Sequence, residues 1–144
     1  MPMKQRSDPY GAFNFLVEID GVTKAGFAEC TGLSADTTVI EYREGSDPTR
    51  VRKLVGLTRY AQIILVRGLT SDKSLCQWFK DTIDGKPLRT DGAIVLLGSD
   101  GTEVARWNFH AGWPSKWRGP AFNAKSNEVA IETLEITHEG FEWV

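Results

Sequence analysis

The segment from Phe13 to Gly21 constrains the fold more than any other part of the chain. Apolar residues at positions 13, 15, 17 and 19 alternate with polar residues at 14, 18 and 20, and only Leu16 interrupts the pattern. A period of two is typical of a β-strand with one buried face. Asp20-Gly21 supplies the positive φ angles of a type I′ turn, so residues 22–30 are predicted to return as the second strand of a hairpin.

Other patterns predict further strands. The stretch 36–42 is rich in β-branched residues, and 60–67 carries apolar residues on both faces, which indicates a strand covered on both sides. Segments 93–97 and 104–109 flank a Gly-Ser-Asp-Gly turn and predict a second hairpin. In the final strand the apolar alternation slips near Thr133, where we expect a bulge or a change of sheet.

One helix is predicted, at about residues 71–84. Thr70 or Ser71 can cap its start, and Gly85 stands where a left-handed residue would end it. Its apolar stripe has helical spacing and consists of Leu75, Trp78, Phe79 and Ile83. The predicted fold class is therefore mainly β with one helix (α+β), an antiparallel β-barrel or sandwich flanked by that helix.

The length of the chain favours a single domain over residues 1–144. With 144 residues, 41% of them hydrophobic and 25% charged, one core is enough. Residues 1–10 are expected to be a flexible N-terminal arm, and residues 43–59 a long basic loop between subunits. Residues 112–127, rich in Pro, Gly and Trp, are interpreted as a connecting loop.

The composition gives no global reason to expect a nucleic-acid or membrane partner. The net charge is −2, so no overall electrostatic attraction to nucleic acid or anionic lipid is expected. The longest apolar run, at 93–97, is far shorter than the about 20 residues that cross a bilayer, so we expect no stable membrane insertion. The N-terminus lacks the apolar stretch of a signal peptide, so synthesis and assembly in the cytoplasm are expected.

No catalytic, metal or cofactor site is predicted. The chain contains no G-x-S-x-G, Walker-type, G-x-G-x-x-G or H-E-x-x-H motif. Cys30 and Cys76 belong to no C-x-x-C pair, and His110 and His138 stand in no recognisable constellation. We therefore expect no cofactor and no enzymatic activity.

Two segments of opposite charge are candidates for contacts between copies of the chain. Residues 43–59 carry five basic side chains against two acidic ones, and residues 128–144 carry five carboxylates without Lys or Arg. The candidate interface residues are Arg43, Arg50, Arg52, Lys53, Arg59, Glu128, Glu132 and Glu135. Charge complementarity between two surfaces determines their relative alignment and their association rate more than their binding affinity. Each segment also has an alternative role. The basic segment could bind nucleic acid, and the acidic segment could serve a hydrolase or bind a divalent cation.

Trp113 and Trp117 complete the candidate interface. Both stand in the segment that is predicted to be a loop, and Trp is common at interfaces because it offers a large contact area. A loop folded over an open end of the barrel would also use them, to cover the core. Both interpretations stay open.

Seven segments, in the same order over nearly the whole chain, resemble one family. They are D-P-Y-G-A-F-N-F-L-V-E-I-D-G (8–21), G-F-A-E-C-T-G-L (26–33), E-Y-R-E-G (41–45), R-K-L-V-G-L-T (52–58), L-V-R-G-L-T (65–70), W-P-S-K-W-R-G-P-A-F-N-A (113–124) and N-E-V-A-I-E-T-L-E-I-T-H-E-G (127–140). Together they resemble the tail tube proteins of contractile phage tails, of the T4-like inner tube type, and of extracellular contractile injection systems.

The resemblance implies a structural function. It implies a β-barrel or sandwich with a flanking helix, closed into hexameric rings by sheet pairing between neighbours, with the rings stacked into a hollow tube inside a contractile sheath. The expected partners are further copies of the chain and the sheath and baseplate proteins of the same particle. The lumen would carry DNA or effector protein without sequence-specific binding, in a virion tail or a secreted particle. The N-terminal arm and residues 43–59 would be stacking elements.

Two other functions compete with this interpretation. A small β-barrel module that binds a ligand or nucleic acid through exposed tryptophans would be a monomer whose fluorescence responds to its ligand. A hydrolase that uses the acidic strand would lose activity on Glu132→Gln or Glu135→Gln.

Overall fold

The computed structural model describes residues 8–20, 22–24, 26–46, 49–125 and 127–144, with the backbone alone for 22–24. Its elements, in chain order, are β1 (Phe15–Ile19), β2 (Val22–Lys24), β3 (Phe27–Thr31), β4 (Ala35–Tyr42), β5 (Arg52–Tyr60), β6 (Ile63–Gly68), α1 (Ser74–Ile83), β7 (Thr90–Leu97), β8 (Glu103–Arg118), β9 (Ile131–Thr137) and β10 (Phe141–Trp143). All strand pairings in the described ranges are antiparallel. The predicted mainly β class with a single helix is confirmed.

Strand β8 organises the large sheet. Its first part pairs with β7 on one side and β10 on the other, whereas its later part, from Trp113, pairs with β9. Between the two parts Ala111 has a φ of 52° and the pairing with β7 shifts register. The 16-residue strand thus runs from one half of the sheet, β2-β1-β7-β8, into the other half, β8-β9-β6-β3.

The core lies between these two halves. Its buried apolar residues come from β1, β7 and β8 on one side, from β6 and β9 on the other, and from α1: Val17, Ile19, Ile94, Phe109, Ile63, Leu65, Leu134, Ile136 and Leu75. Phe109 is 1% exposed. A Cβ on Gly92 or Gly112 would meet its ring at 2.3 or 2.7 Å, so only glycine fits at either position. Two sheets with facing apolar sides form a sandwich.

The first predicted hairpin is confirmed at its turn and wrong in its length. Ile19 pairs with Val22, and Asp20 has the expected positive φ of 53°; Gly21 lies outside the described residues. The return strand ends at Lys24, and the chain resumes after Gly26 (φ 84°) as β3, which pairs with β6. One predicted strand is therefore two strands in opposite halves of the sandwich.

The loop predicted at 112–127 is wrong for residues 112–118, which belong to β8, whereas the described residues 119–125 lie outside strands and helices, as predicted. The bulge predicted near Thr133 is wrong, because the pairing of β6 with β9 runs through Thr133 without a shift. The register shift occurs instead in the pairing of β8 with β9, between Pro114 and Lys116 of β8. Proline is tolerated at such a bulge because no ladder N–H is needed there.

The predicted second hairpin and the helix are confirmed. In the turn between β7 and β8, the Gly98 N–H donates to the Thr102 carbonyl oxygen and the Gly101 N–H donates to the Gly98 carbonyl oxygen. Gly101 has a φ of 83°. The start of α1 differs from the prediction: the N-cap residue is Lys73, which makes no side-chain capping hydrogen bond. The Asp72 carboxylate accepts the N–H of Ser74, the first residue of the helix. Ile83, expected in the buried stripe, is 68% exposed.

The path of the large sheet has two ends, at β2 and β3, and the described residues contain no pairing between them. Strands with open edges are sites where another chain can add. No helix in the described ranges combines the length and the hydropathy that a membrane crossing requires.

Candidate assembly interface

The β4–β5 hairpin forms a separate two-stranded sheet outside the sandwich. Ala35 pairs with Tyr60 at its base, and Tyr42 with Arg52 near its tip. All eight residues of β4 are exposed, and in β5 only Gly56 is not. An isolated two-stranded hairpin is only marginally stable in water.

Apolar pairs occupy both faces of this hairpin. Val39 lies opposite Val55, and Ile40 lies opposite Leu54 on the other face, because successive residues of a strand point to opposite sides. Val55 is 84% exposed and the nearby Leu57 is 76% exposed. Neither face is covered by the residues that the structure describes.

A bulge fixes the shape of the hairpin. The register between β4 and β5 shifts between Thr37 and Val39, so β5 has one residue more than β4 in this part. A Cβ on Gly56 would approach the carbonyl oxygen of Thr38 to 2.7 Å. Glycine is therefore needed for the two backbones to pair closely at the bulge.

The base of the hairpin is attached to the sandwich. The Tyr60 ring packs edge-on against Phe141 at a centroid distance of 5.4 Å and lies 5.9 Å from the ring of His138. His138 Nε2 is 2.9 Å from the carbonyl oxygen of Ala61, and the Ala61 N–H donates to Ser34. These contacts hold the base of the hairpin in place on the sandwich.

The five basic candidates all lie on this hairpin, and all are exposed: Arg43, Arg50, Arg52, Lys53 and Arg59. The prediction of a loop over 43–59 is wrong for residues 52–59, which belong to β5. A strand exposed on both faces has no apolar–polar alternation, so periodicity could not detect it. Arg52 forms an exposed ion pair with Glu44 at 3.4 Å.

The acidic candidates are dispersed. Glu128 is exposed, and Glu135 is paired with Lys116 at 3.6 Å. Two further carboxylates of this segment also have partners in the same chain, Glu139 with Arg89 and Glu142 with His110. The segment 128–144 is therefore less available to a neighbour than its charge indicates.

Glu132 is not a surface residue, and its assignment to the interface is wrong. It is 2% exposed and forms an ion pair with Arg67. Its second carboxylate oxygen accepts the Trp117 indole N–H at 3.1 Å. Arg67 also donates to Asp72 ahead of α1 and lies over the Phe27 ring. The carboxylate can be inside because each of its oxygens has a charged or polar partner.

Trp113 and Trp117 are residues of strand β8, so neither belongs to a covering loop. Trp117 packs against the core, and Trp113 lies under the Arg89 guanidinium at 5.8 Å. Both are half-buried. Each therefore has an intramolecular role that the sequence pattern did not reveal.

Cys30 does not have the properties of a catalytic nucleophile. Cys30 and Cys76 are free and half-buried, and burial raises the pKa of the Cys30 thiol to about 11. The thiol therefore stays protonated at neutral pH. The described residues contain no group of three or more His, Cys, Asp or Glu side chains that could hold a metal ion.

Comparison with known proteins identifies the family. The model of the T4-like virus tail tube protein gp19 matches residues 11–142. The chain belongs to this tail tube family. Family membership makes it a structural subunit of a tube, as the seven segments indicated, and confirms the expectation that it is not an enzyme. No protein with a curated description matches the chain.

Solved structures agree with this assignment. A chain of the anti-feeding prophage (AFP) baseplate is 25% identical and superimposes with a TM-score of 0.86 over 96% of this chain and 97% of that chain. A chain of the sheath–tube complex of the extracellular contractile injection system PVC is 23% identical, with a TM-score of 0.86 over 94% and 91%. Hcp1 from Flavobacterium johnsoniae, 15% identical with a TM-score of 0.56 over 90% and 93%, shares the fold.

Proposed function

We propose that this tail tube subunit closes into hexameric rings and that the rings stack into a hollow conduit through the β4–β5 hairpin. The observation that supports the proposal is the exposure of apolar side chains on both faces of a hairpin that no element in the described part of the chain covers. Large exposed apolar patches in a protein mark association sites.

The energetics favour association through this element. Complete burial of a Val or Leu side chain stabilises by about 1.5–3 kcal/mol. The large exposed apolar residues of the hairpin beyond its base are Val39, Ile40, Tyr42, Val51, Leu54, Val55 and Leu57. Burial against a neighbour would also protect the hairpin's backbone hydrogen bonds from water. A hairpin that is marginal alone becomes ordered by its partner.

The geometry favours a ring or a stack over a twofold dimer. A projecting hairpin that inserts into a different surface of the next copy makes a heterologous contact, which closes into a ring or continues as a filament. The open edges of β2 and β3 offer a second contact, by strand addition within a ring. The hairpin and the strand edges would together provide contacts between rings and within a ring.

Membership of the tail tube family also supports the other expected partners, the sheath and baseplate proteins. The two AFP and PVC relatives belong to a baseplate and to a sheath–tube complex, which supports sheath and baseplate proteins as neighbours of this subunit. The tube would then be part of a phage tail or of an extracellular contractile particle and would carry DNA or protein cargo. The competing function, a small ligand-binding module, is not favoured by these relatives.

Charge substitution in the hairpin tests the proposal. In the double variant Val55→Glu with Leu57→Glu, we expect rings and tubes to disappear from electron micrographs while circular dichroism and the monomer's melting temperature stay unchanged. The matched control, Val55→Ile with Leu57→Met, keeps the apolar surface and should assemble as wild type. Normal tubes from the Glu variant would show that assembly does not depend on the hairpin.

A further inference from the structure

His138 lies where the β4–β5 hairpin joins the sandwich. Two short segments connect the hairpin to neighbouring strands, residues 32–34 after β3 and residues 61–62 before β6, and we call them the neck. The side chain of His138 directly follows β9 and is only 9% exposed. Its Nε2 lies 2.9 Å from the carbonyl oxygen of Ala61 in the neck. A buried titratable side chain therefore contacts the connection between hairpin and sandwich.

The hydrogen bonds of His138 determine which ring nitrogen carries the hydrogen. The Gly140 N–H donates to Nδ1 at 3.1 Å, and because a backbone N–H can only donate, Nδ1 must present its lone pair. The Ala61 carbonyl oxygen can only accept, so Nε2 must carry the hydrogen. Both conditions are met together only by the neutral ring with its hydrogen on Nε2.

Aromatic rings from three strands pack around His138. The ring centroids of Tyr60, Phe109 and Phe141 lie 5.9, 6.1 and 6.1 Å from that of His138, and of these three residues only Tyr60 is titratable. Gly140 has a φ of 146°, and a Cβ there would lie 3.3 Å from the Tyr60 ring. Since Tyr60 is the last residue of β5, a movement of the His138 ring changes the packing at the base of the hairpin.

The charged residues nearest in sequence to this cluster have partners or directions of their own. Glu139 and Glu142 are exposed and pair with Arg89 and His110. Arg59 is exposed and points to the side of β5 opposite to the aromatic cluster, because successive residues of a strand alternate. A charge on the buried imidazole would therefore lack a counter-charge among these residues, and such burial is unfavourable.

We propose that neutral His138 holds the hairpin in the orientation that assembly requires, and that a proton on its Nδ1 releases the hairpin. The inference rests on the proposed function, in which the hairpin joins copies of the chain. A hydrogen on Nδ1 would face the Gly140 N–H, so that hydrogen bond is lost and the ring must move. A ring that has moved into water can hold both hydrogens. Acid therefore favours the released hairpin, and assembly weakens as the pH falls.

The effect is confined to the hairpin. Another contact of the neck with β9, from Gln62 Nε2 to Thr137 Oγ1 at 3.3 Å, involves no titratable group. The backbone hydrogen bond from the Ala61 N–H to Ser34 is equally independent of pH. The neck thus stays attached when His138 is charged, and the subunit should remain folded while its hairpin changes orientation.

The chain has two histidines, which allows a matched experiment. For the wild type, the protein concentration at half-assembly should rise about threefold to tenfold between about pH 7.5 and about pH 5.5, the usual effect of one lost hydrogen bond in the range where histidine takes up a proton. His138→Gln keeps a donor for Ala61 but cannot titrate, so it should remove this pH dependence. His110→Gln changes the exposed histidine and should keep it.

Light scattering against protein concentration at the two pH values measures this dependence. The same pH dependence in wild type and His138→Gln would overturn the inference. A wild type that assembles equally well at both pH values would do so too.

Nitrogen-15 NMR of the subunit below its assembly concentration tests the tautomer directly and needs no variant to fold. At neutral pH, His138 should carry its hydrogen on Nε2. On acidification, the backbone signals of Ala61 and of the hairpin should shift together with the His138 ring, while those of the buried Val17 should stay in place. A hydrogen on Nδ1 at neutral pH, or hairpin signals that do not follow His138, would contradict the inference.

The outcomes separate this inference from the proposed function. Tubes that need the hairpin but form equally well at both pH values overturn the role of His138 and leave the hairpin's role intact. Tubes that form normally with Val55→Glu and Leu57→Glu overturn both. A pH dependence that His138→Gln removes and His110→Gln keeps, together with the expected tautomer, supports both.

Discussion

The sandwich and the β4–β5 hairpin are built from similar residues but differ in where their apolar side chains go. In β6 every second residue is buried, and in β4 all eight positions are exposed. Val17 and Val55 are the same residue type in a β-strand, yet Val17 is completely buried and Val55 is largely exposed. The sandwich therefore buries its apolar side chains within one chain, whereas the hairpin would bury them only in the proposed assembly.

The two regions also use charge differently. In the sandwich, Arg67 and Arg106 each contact two carboxylate groups at short range, Glu132 and Asp72 for the first and Glu18 and Glu103 for the second. On the hairpin, the basic side chains lie at the surface. Internal pairs hold a fold together, and exposed charges guide association.

The largest expected effect is in the core. Phe109→Ala should lower the free energy of unfolding by about 3–5 kcal/mol, because it removes a fully buried ring and leaves a cavity. Denaturant unfolding of the monomer measures this change. Val55 of the hairpin is the exposed residue for comparison. Val55→Ala should change the free energy of unfolding by less than about 0.5 kcal/mol. Equal losses would remove the distinction between the two regions.

The buried ion pair comes next. Glu132→Leu leaves Arg67 inside without its main partner and takes an acceptor from Trp117, so we expect a loss of about 3 kcal/mol in unfolding free energy. Adding Arg67→Met should restore most of it, because two apolar side chains of similar size can replace a buried pair. A double variant as unstable as the single one would argue against this account.

The basic side chains of the hairpin should affect assembly without affecting the fold. Arg50→Glu with Arg52→Glu should weaken assembly about tenfold at low ionic strength and less at high salt, because screening reduces interactions between exposed charges. Light scattering against salt concentration measures the change. Lys125→Glu, outside the hairpin, is the control for a charge reversal. Unchanged assembly in the double variant would remove the electrostatic part of the proposal.

The smallest effect concerns acid stability. The hydrogen bonds from Arg106 lower the pKa of the Glu18 carboxyl. The pair therefore stabilises the fold above the ordinary Glu pKa of about 4.3, and this contribution is lost as pH falls through the lowered folded value. Because the pair is partly exposed, its size is below about 1 kcal/mol.

Melting temperature against pH measures this contribution. Glu18→Gln should reduce the melting temperature at neutral pH and flatten its decline at acid pH, whereas Glu41→Gln on the hairpin should do neither. Parallel curves for wild type and Glu18→Gln would show that other groups cause the acid sensitivity.

Local patterns in the sequence determined several elements. The alternation before Asp20, the turn at 98–101 and the helix before Gly85 each depend on residues close together in the chain, and the structure has all three. The same holds for strand β4, whose β-branched residues favour extended backbone whether or not they are buried. The family could also be recognised, because seven segments keep their order.

Only the tertiary structure decided where the remaining strands and charges lie. Residues 52–60 are a strand because β4 pairs with them, and residues 113–118 are a strand because β9 pairs with them, despite Gly56 and Pro114. Glu132 is inside because Arg67, 65 positions earlier, provides its counter-charge. Periodicity reports burial on one face, so it misses strands exposed on both faces and polar residues that find partners far away in the chain.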